Sequence, residues 1–204
     1  MDKELRTYIE ANILPRYEAY DAAHRREHIE GVIDRSLRLA THYEVDLSMV
    51  YTVAAYHDLG LVEGRELHHI SSGRMMVEDG ELCRWFSPEQ REVMREAIED
   101  HRASATAPPR TIYGMIVAEA DRQIVPEVVM TRTVQYGLSH YPNLTKEEHW
   151  ERFVGHLREK YDYGGYLKLY IPHSDNATRL EELRQIIAQP TKLREEFERI
   201  WKKL

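Results

Sequence analysis

The chain has 204 residues and 24.1 kDa. Its 42% hydrophobic and 31% charged residues suit a globular chain that buries a core without a disulfide or structural metal. A formal net charge of −7 and a single cysteine, Cys83, argue against a nucleic-acid polymer as partner, a disulfide framework and a cysteine-cage zinc site. The longest mainly apolar run, Met49 to Tyr56, falls far short of the ~20 residues of a membrane span. Met1–Arg6 carries no apolar signal core, so a soluble, cytoplasmic protein without a membrane partner is expected. Histidine stands out, with 11 residues.

Apolar residues recur at helical period and alternating strand patterns are scarce, so the expected fold class is all-α. A first helix covers about Lys3–Tyr17, interrupted by Pro15, and a second about Asp21–Tyr43, with Ile29, Val32, Ile33, Leu37 and Ala40 as its inward stripe. Asp46 caps a third over Leu47–Leu59, and Gly60 suits its C-terminal stop. A short helix follows at about Glu66–Asp79. Ser87, Pro88 and Gln90 form a capping-box start for a helix reaching about His101. After the break at Ala107-Pro108-Pro109, Thr111 caps a helix from Ile112 to about Ile124. Further helices are expected at Glu127–Ser139 and Thr145–Tyr161, one extended piece at Tyr166–Ile171, then helices at Asp175–Ala188 and Thr191–Leu204.

Several of these helices carry a ligand-type residue in register with the apolar stripe. Val50, Val53, Ala54 and His57 share a face, with Asp58 next; Val93, Ala97 and His101 are four apart; Val117, Asp121 and Ile124 align; His28 sits one turn before Val32. A buried imidazole or carboxylate is costly unless paired or metal-bound. One such histidine alone is usually a hydrogen-bonded core residue. Several in sequence, on separate helices, suggest that they meet.

The sequence resembles the HD-domain superfamily of metal-dependent phosphohydrolases. The resemblance is carried by Arg25-Arg26-Glu27-His28-Ile29, Ala54-Ala55-Tyr56-His57-Asp58-Leu59-Gly60, His69-Ile70-Ser71-Ser72-Gly73, Ile98-Glu99-Asp100-His101-Arg102 and Ala118-Glu119-Ala120-Asp121-Arg122. It is similar to the binuclear branch, such as symmetrical dinucleoside-tetraphosphate hydrolases. It implies one HD-type helical bundle over 1–204, with its core at about 21–125 and a helical extension at about 126–204. It further implies two divalent transition-metal ions, iron or manganese first, with cobalt, nickel or zinc as alternatives. Asp58 would bridge them, with His28, His57 and Asp121 on one metal and His69 and His101 on the other. His68 competes with His69, and Gly73 one turn later favours His69.

Many family phosphodiesterases carry Lys three residues after the Asp of the pair; here Leu61 stands there. Arg65, Arg102 and Arg122 are candidate replacements, because a guanidinium fits phosphate oxygens, although each is equally a surface ion-pair partner. The implied function is hydrolysis of a phosphoester or phosphoanhydride in a nucleotide or small phosphorylated metabolite, Asp58 and these arginines serving catalysis. Two other readings stay open: a mixed-valence di-iron oxygenase of the same superfamily, and a non-catalytic metal- or nucleotide-binding regulatory module. His24, His42, His140, His149, His156 and His173 are read as structural, Tyr161, Tyr163 and Tyr166 as pocket lining or plain packing, and the extension as a pocket wall or a homodimer surface.

Overall fold

Asp2 opens the first helix, α1 (Lys3–Asn12), by accepting the backbone N–H groups of Glu4 and Leu5. In this computed structural model residues 1–20 and 26–204 are described; the expected helix start at Asp21, the histidine His24 read as structural and the motif residue Arg25 lie outside the described residues. Pro15 ends the α-helical hydrogen-bond ladder, and the chain continues as a 3-10 turn, Leu14–Ala19. The second helix, α2 (Arg26–Ala40), buries Ile29, Val32, Ile33, Ser36 and Ala40 along one stripe. Asp46 caps α3 (Leu47–Tyr56), on which every residue from Met49 to Tyr56 is buried. A helix apolar all round belongs at the centre of a bundle, and α3 packs against α2 and the helices that follow.

The third helix is shorter than its sequence suggests. A 3-10 turn, Leu59–Glu63, takes over, and Gly60 is not a C-terminal stop. Among the described residues only Gly64 has a positive φ, at 115°. Gly60 instead permits close approach: a Cβ there would lie 2.3 Å from the His68 carbonyl oxygen and 2.5 Å from the Ser72 nitrogen. The Gly60 N–H donates to Ser72 Oγ at 2.8 Å. This contact seats α4 (His68–Glu78), which is followed by an unforeseen 3-10 turn, Gly80–Arg84.

The reciprocal Ser87–Gln90 capping box starts α5 (Pro88–Glu99), and Thr111 caps α6 (Ile112–Asp121). The sixth helix stops at Asp121, short of the expected Ile124, whose N–H bonds the Asn176 side chain instead. Then come α7 (Pro126–His140), α8 (Lys146–Tyr161, with a Thr145–Glu148 capping box), α9 (Asn176–Ile187) and α10 (Pro190–Trp201). The expected extended piece at Tyr166–Ile171 forms no strand. Its Tyr166 and Leu167 N–H groups bond the Glu159 and Lys160 carbonyls instead. The fold is all-α, with no strand among the described residues.

The chain divides into two compact units. The first is Met1–Arg122 with Tyr170–Ser174; the second is Gln123–Leu169 with Asp175–Leu204. The core of the first brings Ile29, Val32, Val53, Ala54, Met94, Ala97, Ile98, Val117 and Ala120 together. Alanines on α3, α5 and α6 let these helices approach closely, so that their C-terminal ends meet. The second unit buries Phe153, Leu157, Leu183, Leu193 and Phe197. No described helix is long and apolar enough to cross a membrane.

Candidate metal centre

The candidate ligands sit at helix ends. His57 follows α3 directly and Asp58 is next; His101 lies just beyond α5; Asp121 is the last residue of α6; His28 is in the first turn of α2 and His68 begins α4. Three imidazoles are locked in the same way. Nδ1 of His57, His68 and His101 lies 2.8, 2.8 and 2.6 Å from the carbonyl oxygens of Ala54, Arg65 and Ile98. A carbonyl only accepts, so Nδ1 holds a proton and each Nε2 is aimed the other way, offering a lone pair once it is unprotonated.

Those Nε2 atoms converge on Asp58. Its Oδ1 lies 3.3 Å from His68 Nε2 and 3.4 Å from His101 Nε2, and the two Nε2 atoms are 3.2 Å apart. Its Oδ2 faces His57 Nε2 at 3.4 Å. Asp121 Oδ1 lies 3.1 Å from His28 Nε2 and 3.8 Å from His57 Nε2. His57 Nε2 is buried without a hydrogen-bond partner among the described residues. Two groups therefore have ligand atoms all within 4.8 Å of one another, His28–His57–Asp58 and Asp58–His68–His101. They share Asp58, one oxygen facing each side. Electron-rich atoms this close repel unless a proton or a metal cation lies among them; the donor set of imidazole nitrogens and carboxylate oxygens fits divalent metal ions.

The electrostatics agree. Burial opposes charge on Asp58, yet the neighbouring His57, His101 and His68 hold its carboxyl well below the usual carboxylate range. Asp121 is likewise held low against burial, by His28 and His57. Burial disfavours an imidazolium at His57, but the Asp58 and Asp121 carboxylates keep its pKa well above the usual imidazole value. Both carboxylates thus remain ionised at neutral pH, as metal ligands must.

His28, His57, Asp58, His101 and Asp121 come together as the sequence suggests; His69 does not. His68 takes its place, because it is the first residue of α4 and its Nδ1 reaches back to Arg65. The next residue is turned about 100° around the helix axis. His69 is half-buried beside His68, ring centroids 5.6 Å apart, and burial, with the nearby Arg102 charge, pushes its pKa down to about 4. Gly73, which pointed to His69, serves packing instead: a Cβ there would lie 3.2 Å from the side chains of Arg95 and Glu99.

The arginines differ. Arg65 is exposed, and Arg102 donates to the Glu66 carbonyl at 2.8 Å. Arg122 is 7% exposed, and its Nε and Nη1 have no hydrogen-bond partner among the described residues. Burial lowers its pKa from the usual guanidinium value. Elsewhere, His42 stacks on His173 and His140 on Tyr136, and His149 is buried beside Trp201. Tyr163 donates to Glu181 within the second unit.

The helix ends of this bundle gather four histidines around two aspartates, a set that could hold divalent metal ions. The sequence profile of the HD-domain family matches residues 25–123, so the chain carries an HD domain, the hallmark of a superfamily of metal-dependent phosphohydrolases. Among curated proteins none matches the chain. The fold is similar to a crystal structure of a Lactobacillus plantarum protein from structural genomics, at TM-score 0.65 and 16% identity over 100% of both chains. At that identity the likeness concerns the fold alone.

Proposed function

We propose that this protein is a metal-dependent hydrolase of phosphoester or phosphoanhydride bonds in a nucleotide or other small phosphorylated metabolite. The supporting observation is Asp58, whose two oxygens face separate histidine groups while His57 Nε2 is buried and unpartnered. His28, His57, Asp58 and Asp121 would hold one divalent cation and Asp58, His68 and His101 a second. The all-nitrogen-and-oxygen set suits iron or manganese before magnesium. Bound there, such ions supply Lewis acidity toward phosphoryl oxygens and lower the pKa of water.

The chain's own residues do the rest. The carbonyls of Ala54, Arg65 and Ile98 fix the imidazole tautomers and aim Nε2 inward. Asp58 and Asp121, kept ionised, offset the charge of the cations. Leu61 leaves no lysine after the His-Asp pair, so arginine is left to bind the substrate oxyanion. Arg122 is the first candidate, next to Asp121 with N–H groups that have no hydrogen-bond partner among the described residues; Arg102 directly follows His101 and Arg65 lies three residues before His68.

The test combines metal analysis of protein purified without chelator with a panel of phosphoesters and nucleoside polyphosphates. Release of phosphate or nucleotide that stops in Asp58→Ala, together with loss of metal, is expected. Dioxygen consumption without phosphate release would contradict the hydrolase reading and favour oxygenase chemistry on the same ligands.

A further inference from the structure

Tyr170–Ser174, outside the family match, returns to the first compact unit as a strap. The Glu119 carboxylate accepts the Tyr170 N–H at 2.9 Å and also the Ser174 hydroxyl. Ile171 enters the apolar cluster of Ala40, Val50 and Ile116. His173 stacks on His42, centroids 4.3 Å apart. So anchored, the strap presents the Tyr170 ring to Arg122, whose guanidinium carbon sits 5.2 Å from the ring centroid.

Arg122 directly follows the candidate ligand Asp121. A buried guanidinium with N–H groups lacking acceptors is unfavourable. The ring face attracts the cation without using any of its N–H groups. Tyr170 thus holds the charge in place while Nε and Nη1 stay without acceptors. An arginine oriented in advance binds an oxyanion with less ordering cost than a free one.

We propose that Tyr170 is a positioning residue, which holds Arg122 ready for an oxyanion group of the substrate. The anion site beside the HD centre is then completed by chain from beyond the HD segment. The proposal rests on the phosphohydrolase reading above.

The experiment is calorimetric titration of inorganic phosphate into the manganese-loaded full-length chain, with metal content measured for every variant. Tyr170→Leu is expected to keep its metal and bind phosphate about tenfold more weakly. Tyr170→Phe, which keeps the ring, is expected to bind within about twofold of the parent. Arg122→Lys is expected to weaken binding similarly, and adding Tyr170→Leu to it to cause little further loss, since the ring acts through the guanidinium. If Tyr170→Leu loses its helical circular-dichroism signal, Tyr170→Met is judged by the same criterion. Equal phosphate affinity in the parent and the ring-less variant, both metal-loaded, overturns the positioning role and leaves the hydrolase reading standing. A metal-loaded parent that binds no phosphate overturns both.

Discussion

Gly60→Ala tests how the fold places His68. The added methyl would sit 2.3 Å from the His68 carbonyl oxygen, 2.5 Å from the Ser72 nitrogen and 2.7 Å from the Ser71 Cβ. Two of these contacts are backbone, so no side-chain rotation relieves them, and the start of α4 must move away by about 1 Å to reach ordinary contact distance. Overpacking of this kind typically costs about 1–3 kcal/mol. Weakening the Gly60–Ser72 hydrogen bond adds about 1 kcal/mol. For a chain of this size the melting temperature should fall by about 5–10 °C. Because His68 moves with its carbonyl, the Asp58–His68–His101 group should open while the His28–His57–Asp58 group is undisturbed. The assay pairs thermal denaturation with elemental analysis, and the metal content of the folded variant is expected to drop toward half. A variant that melts with the parent and keeps its full metal content would refute this role for the close approach.

His68→Ala should lose bound metal while His69→Ala keeps it, by elemental analysis; the reverse would restore His69 as the ligand. His57→Ala or Asp58→Ala should abolish metal binding and activity while circular dichroism still reports the helices. In chelator the parent should melt lower than with metal, since metal at a hundred times its dissociation constant stabilises by about 2.7 kcal/mol; no shift would argue against a metal centre. The metal-free protein should depend on pH in two directions. Asp58 and Asp121 have lowered pKa values, so their contribution is present above about pH 4, their unfolded range, and lost as pH falls further. His57 has a raised pKa, so its contribution is full below about pH 6.5 and lost as pH rises through the higher folded value. Stability in chelator should therefore peak between about pH 4 and 6.5, and a steady rise to pH 8 in denaturant titrations would contradict the assigned pairs.

Much of this was legible because local chemistry spells it out. Asp46, Ser87 and Thr111 all cap the helices their side chains suggest. His57, His101 and Asp121 were visible because they end apolar stripes whose burial fixes their direction. The choice between His68 and His69 was not visible, for it depends on the phase of α4. That helix begins after Leu67, which makes no side-chain cap, and its start is set by contact with Gly60. Gly60 itself was misread, since a glycine needed for close approach looks in sequence like a helix stop. Tyr170 and Glu119 were missed for a different reason: they lie 51 positions apart, and only the return of the strap brings them together.

The most direct measurement is anomalous scattering from crystals of protein purified without chelator. Two metal peaks flanking Asp58 are expected, one among His28, His57, Asp58 and Asp121 and the other among Asp58, His68 and His101. Density without metal at Asp58 in crystals grown with manganese or iron, or metal held by His69 in place of His68, would contradict the assignment.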